Sequence, residues 1–145
     1  MPSLSPRSNR LRKFGQAWLG LTLLGTGTAH LTVQREEFQA QVPPWAPFSP
    51  DFIVVASGVA ELALGAALVT QWKQPRRAWT GAITAAFFLA IFPGNIAQFT
   101  GKVDAFGLDS DLKRALRLPF QPVLIAWALA STEAIRTIRA QRDDR

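Results

Sequence analysis

The sequence predicts an all-α, polytopic membrane protein with four transmembrane helices in an up-down bundle, and three observations carry that prediction. Four apolar blocks, at about 14–33, 52–72, 78–99 and 118–135, are separated by short polar stretches. A helix needs roughly 20 apolar residues to cross a hydrocarbon core, so each block is long enough for one span. The apolarity is not confined to a stripe either. AITAAFFLAIF, at 82–92, is apolar on every face, which suits a helix surrounded by lipid better than one lying on a soluble core.

The third observation is where the charge goes. Arg7, Arg10, Arg12, Lys13, Lys73, Arg76, Arg77, Arg136, Arg139, Arg142 and Arg145 fall on one side of a four-span arrangement, and Arg35, Lys102, Lys113, Arg114 and Arg117 on the other, eleven against five. Basic residues accumulate on the cytoplasmic side, so both termini are expected there. The net charge of +6 is then a consequence of topology, and no nucleic-acid partner is expected. Trp18, Trp72 and Trp79 fit the inner interface and Trp45 the outer one.

Taken in order, residues 1–13 form a basic cytoplasmic tail, 14–138 the membrane domain and 139–145 a second cytoplasmic tail. A basic start, an apolar run and Gly27-Thr28-Ala29 also fit a signal peptide and its cleavage site. Cleavage would leave three spans and set the basic C-terminus against the inside-positive pattern, so the first block is read as a span. The first outer loop, 34–51, holds four prolines that forbid a long helix. Its Phe38, Val42, Trp45 and Phe48 are expected on the outer mouth of the bundle.

The second span is linked to the third by KQPRR at 73–77, short enough to make the two antiparallel neighbours. Pro93 removes an amide donor inside the third span, and with Gly94 and Asn95 beside it predicts a kink. In the second outer loop Ala105, Leu108, Leu112 and Ala115 recur at helical spacing, predicting an interfacial amphipathic turn with the charged residues turned away. Pro119 and Pro122 come early in the fourth span, where missing donors are tolerated. Glu133, near its inner end, is expected to reach water.

An ionisable residue at membrane depth costs roughly 2.5–3.5 kcal/mol and should face protein or a water-filled space. Glu61 lies nine residues beyond Phe52, near the middle of the second span. His30 closes the first span, Asn95 and Gln98 come late in the third, and Arg117 and Gln121 open the fourth. All six belong to the outer half of the bundle and form the candidate ligand-binding set. Gln16, Gly20, Leu23, Gly27 and His30 share one helical stripe, and Val54, Gly58, Glu61, Gly65 and Leu68 another. Small residues let backbones approach, so the two stripes are expected to face each other with His30 and Glu61 in reach.

Each residue also has a plainer reading. Glu61 as a protonated carboxyl would serve packing, His30 would be an interfacial hydrogen-bonding residue, Asn95 would satisfy carbonyls freed at Pro93, and Arg117 would anchor headgroups. One histidine, one methionine and no cysteine exclude a bis-His haem, a His-rich zinc site and thiol chemistry within one chain, so no metal is expected. No glycine-rich phosphate loop or nucleophile elbow occurs, which leaves catalytic residues unassigned.

The histidine closing the first span, VPPWAP at 42–47, SGVAELALG at 57–65, FPGN at 92–95 and RLPFQPVLIAW at 117–127 together resemble the DoxX-like family of small bacterial membrane proteins, over about residues 14–138. The resemblance implies a four-helix inner-membrane protein. The family name is tied to a subunit of a thiosulfate:quinone oxidoreductase, and relatives are linked to oxidative-stress and thiol-balance assemblies. Where the family frequently has Phe after the motif histidine, this chain has Leu31, a mild change. The absence of cysteine argues against direct thiol chemistry here.

The leading expectation is an accessory protein of a membrane redox system, not an enzyme on its own, whose pocket takes a quinone headgroup or similar polar-headed lipid. Its partners would be the bilayer and a protein of that redox assembly. Two other readings stand beside it. One is a non-catalytic scaffold recruiting a partner through the Pro-rich loop or basic tail, and the other a proton-coupled carrier, which with so few spans would need a homo-oligomer.

Overall fold

The computed structural model describes residues 5–145, so residues 1–4 of the expected tail lie outside the described residues. The chain is all helical, with no strand among those residues. In order, the helices are α1 (Pro6–Leu31), α2 (Arg35–Gln39), α3 (Pro50–Thr70), α4 (Arg76–Thr100), α5 (Asp111–Arg117), α6 (Phe120–Thr132) and α7 (Ala134–Asp143). α3 and α4 are long and apolar enough to cross a membrane, and a third span results if the bent run from Asp111 to Asp143 counts as one. At 26 residues α1 has the length, but Gln16, His30 and its threonines and glycines make it less apolar.

Local sequence sets the helix starts. Ser5 and Ser49 each accept a hydrogen bond from the amide three residues on, at 3.3 Å, and Pro6 and Pro50 follow them at the first helical position. The capping hydroxyl satisfies one of the amides that a helix start leaves unpaired. α1 therefore begins well before the apolar block, and the basic residues from Arg7 to Lys13 form its first turns.

The two predicted stripes are the buried faces of α1 and α3, which pack against each other more extensively than any other pair. Gly20 and Gly65 make this possible. A Cβ on Gly65 would come within 2.8 Å of the Gly20 carbonyl oxygen, and one on Gly20 within 3.0 Å of the Gly65 oxygen. Only glycine lets the backbones approach this closely, and that spacing brings His30 beside Glu61.

The remaining architecture departs from expectation at several points. α4 packs mainly on α6, and α6 on α1, whereas α3 and α4 scarcely touch despite their short link. A cavity takes the space between them. Pro93 lies inside α4, which continues as helix to Thr100. The fourth apolar block ends early, because Glu133 adopts a left-handed backbone (φ 58°) and α7 leaves at 58° to the preceding segment.

The cause of this break lies in side chains that take the last carbonyls of α6. Arg12 donates to the Ala130 oxygen at 2.9 Å, Gln74 to the Thr132 oxygen at 2.9 Å, and Arg77 to the Ser131 oxygen. Helix ends leave such carbonyls unpaired, and cationic donors there also oppose the negative end of the helix dipole. Glu133 consequently does not reach water freely. Only 14% of its side chain is exposed, and it sits 3.5 Å from Arg77 and 3.4 Å from Arg136. Arg77, counted among the inner flanking charges, is itself buried at 3% exposure. Burial pulls polar partners around a cation that cannot lose its proton.

In the second outer loop one expectation is corrected, since Arg114 does not turn away with the other charged residues. Leu112 and Leu116 are exposed, and the buried residue of α5 is Arg114. Its guanidinium reaches Asp104 at 2.6 Å, Asp111 at 3.1 Å and the Leu108 carbonyl at 2.8 Å. A branched cation with several donors thus organises this loop.

Candidate functional site

A cavity of about 780 Å³ opens among α1, α3, α4 and the start of α6, roofed by the first outer loop. Leu19, Leu23, Phe87, Phe88, Ile91 and Leu124 give it an apolar wall. Phe38, Val42, Trp45 and Phe48 line its mouth, where the sequence placed them. The loop is tied down by a bidentate pair, since Arg35 donates to both Asp51 oxygens at 2.7 Å and Gln39 adds a third bond at 2.8 Å. That exposed pair raises the Arg35 pKa above its ordinary value through the hydrogen bond from the guanidinium to the carboxylate.

His30 and Glu61 meet at the cavity wall. Nδ1 of His30 lies 3.1 Å from Oε2 of Glu61 and 2.9 Å from the Thr26 carbonyl oxygen. The N–H is directed at Thr26, the oxygen one turn back on the same helix. Oε2 therefore has a close nitrogen neighbour but no directed hydrogen bond, and it is sealed from solvent. An unsatisfied buried oxygen costs about 1–3 kcal/mol, and the His30 nitrogen at 3.1 Å is the group placed to offset that cost.

A column of flat groups holds the histidine ring. Phe38 of α2 stacks on it with centroids 3.3 Å apart and planes at 14°. Phe106 tilts against Phe38 at 4.7 Å, and the Arg117 guanidinium lies over Phe106 at 5.1 Å. The Phe106 amide donates to Glu37 at 3.1 Å, which clips the second outer loop to α2. Aromatic pairs and a cation over a ring each add roughly 0.5–1.5 kcal/mol and fix orientation.

On the opposite wall Asn95 donates to Gln121 Oε1 at 3.1 Å, and Gln121 donates to the Phe88 carbonyl at 2.6 Å. The side chain that reaches a carbonyl in the turn before Pro93 is thus Gln121 of α6, and Asn95 positions Gln121. Arg117 lines the cavity near its mouth. Gln98 does not line it. Fully buried, it accepts from Gln41 at 2.6 Å and donates to the Val103 and Ala105 carbonyls at 3.3 Å, pinning the second outer loop. Five of the six predicted residues, His30, Glu61, Asn95, Arg117 and Gln121, line one cavity, and Gln98 stands behind it.

The sequence did not single out Gln41. Its amide sits between Gln98 and Arg117: in one orientation it donates to Gln98, and in the other it instead accepts from the guanidinium at 2.9 Å. Nothing in a polar residue of a Pro-rich loop distinguishes it from its neighbours. Phe106 was equally hidden, because its left-handed backbone (φ 54°) is set by loop contacts. At the inner end Arg77, Gln16 and Glu133 form a second polar cluster, for which the visible signal was a glutamine on the buried stripe of α1.

Among the described residues no group of three His, Cys, Asp or Glu side chains is placed to hold a metal ion. By comparison with known families the chain belongs to the family described as Domain of unknown function (DUF8561), whose model matches residues 19–132. Comparison with curated proteins and with solved structures finds no match.

Proposed function

We propose that this DUF8561 protein is a four-span protein of the bacterial plasma membrane, both termini cytoplasmic, whose outer-half cavity binds a quinone or similar polar-headed lipid as an accessory component of a membrane redox system. The observation that carries the reading is the buried His30–Glu61 pair, 3.1 Å apart, at the wall of a largely apolar cavity. An apolar pocket with a few convergent polar groups is the usual form of a small-molecule site, and this volume suits a substituted ring with part of its chain. His30 and Glu61 offer hydrogen-bonding partners to such a headgroup, and the stacked Phe38 keeps the ring of His30 in place.

The membrane assignment draws on the apolar α3 and α4, and on α1 sharing a buried face with α3 along its length. In the up-down bundle α1, α3, α4 and the α6 segment are the four spans, and the 58° bend lets α7 leave along the inner surface. The resemblance to DoxX-like proteins points the same way. Native purification in mild detergent, with mass spectrometry of bound lipids, tests the function. Quinone retained by the wild type and lost in Glu61→Gln is the expected outcome; none in either would overturn it.

A further inference from the structure

A cation taken out of water needs an acceptor, and the cations of this chain find theirs either in the protein or in solvent. Arg77 and Arg114, both buried, have carboxylates: Glu133 at 3.5 Å for the first, Asp104 and Asp111 at 2.6 and 3.1 Å for the second. Half-buried Arg12 donates to the Ala130 carbonyl at 2.9 Å, while Arg76, Lys102 and Arg139 are exposed. Arg117 fits neither pattern. It is half-buried, and among the described residues no carboxylate pairs with it.

The groups that touch the Arg117 guanidinium are neutral. The Phe106 ring lies at 5.1 Å, and in one orientation the Gln41 amide oxygen lies at 2.9 Å. Burial lowers the Arg117 pKa from its ordinary value with no carboxylate to oppose the shift, yet a guanidinium keeps its proton. Arg117 lines the cavity, and none of its nitrogens is sealed from solvent. Glu61, the single acidic residue of the lining, sits beside His30 at 3.1 Å and leaves Arg117 uncompensated. The cavity thus joins an unneutralised cation to apolar walls that include Leu23, Phe88, Ile91 and Leu124. These features complement the two ends of an amphiphile. An oxyanion matches the donor fork of a guanidinium, and a hydrocarbon chain matches the apolar wall.

We propose that Arg117 binds the oxyanion head of a single-chain amphiphile, a fatty carboxylate or an alkyl phosphate, whose chain occupies the apolar cavity. The inference goes beyond the quinone reading and does not depend on it, because it draws on Arg117 and not on His30 or Glu61. The probes are bromine-labelled dodecanoate, at a pH where its carboxylate is ionised, and the matching bromine-labelled dodecanol. Each is titrated into the full chain in phosphatidylcholine nanodiscs. Bromine quenches tryptophan fluorescence on contact and Trp45 lines the cavity, so binding is read as the part of the quenching that is lost in Trp45→Phe.

Wild-type protein is expected to bind dodecanoate at least about tenfold more tightly than dodecanol, a preference read without any substitution. Arg117→Gln is expected to bring dodecanoate down to the level of dodecanol while dodecanol binding stays, which shows that the cavity still forms. Arg117→Lys, which keeps the charge and loses the fork, is expected to retain part of the preference. Unlabelled dodecyl phosphate is expected to displace dodecanoate, and inorganic phosphate and acetate to leave it bound. Equal binding of the two probes by the wild type would overturn the inference. A preference that survives Arg117→Gln would overturn it as well, leaving Arg117 a headgroup anchor only. Displacement by inorganic phosphate as effective as by dodecyl phosphate would make the site one for a free anion and overturn the amphiphile. Each of these failures leaves the quinone reading to its own experiment, which follows Glu61.

Discussion

Arg77 Nε donates to Gln16 Oε1 at 2.6 Å in the buried inner end of the protein, and Gln16 in turn donates to the Leu68 and Gln71 carbonyls at 2.8 and 3.0 Å. Through these two side chains the start of α4 is coupled to α1 and to the C-terminus of α3, while other donors of Arg77 hold the end of α6. A single arginine thus ties together the helices at the end opposite the cavity. This tie lets α3 and α4 stand apart where the cavity opens.

Arg77→Met is therefore expected to destabilise the protein by about 3–5 kcal/mol, because it leaves the Gln16 oxygen and the Ser131 carbonyl buried without their donor and weakens the hold on Glu133. Lysine should recover only part of the loss, since one ammonium cannot reproduce the fork of the guanidinium. Thermal unfolding in detergent, followed by circular dichroism, measures both.

Gly65→Val should cost about 1–3 kcal/mol, as an added Cβ would press on the Gly20 carbonyl at 2.8 Å and force α1 from α3. Gly25 provides the control. A Cβ there meets nothing within 4 Å, so Gly25→Ala should be neutral or stabilise by up to about 1 kcal/mol through helix propensity. A common drop in both variants would refute the close-approach account.

His30 is the single histidine, which makes its ring protons identifiable by NMR. The stacked Phe38 should shift them upfield, and Phe38→Ala should remove that shift while costing about 0.5–1.5 kcal/mol. Ring resonances at ordinary positions in the wild type would show that the stack does not persist in solution.

The absence of cysteine makes single-cysteine topology mapping direct. With α1 as a span, Gln39→Cys and Lys102→Cys should react with a membrane-impermeant maleimide in intact cells. Ser8→Cys and Gln141→Cys should react only after the membrane is opened. Labelling of Ser8→Cys in intact cells would remove α1 from the spans.

Much of the helical plan was legible in the sequence because it follows from one-dimensional patterns. Apolar run length marks α3 and α4, and the glycine-polar stripes at helical spacing named the buried faces of α1 and α3, hence the meeting of His30 with Glu61. The meeting of His30, Glu61, Asn95, Arg117 and Gln121 at one cavity followed from counting along helices of alternating direction.

Tertiary structure alone decided the rest. Whether α3 packs on α4 or stands away from it, where the last apolar block breaks, and which arginines are buried all depend on partners distant in sequence: Arg12 and Arg77 on the carbonyls of α6, Asp104 on Arg114, Phe106 on Phe38. Hydropathy treats each charge as a cost to be met by water. Burial of Arg77 and Arg114 shows that cost met by other side chains, and such pairing is a property of three-dimensional proximity that no local pattern encodes.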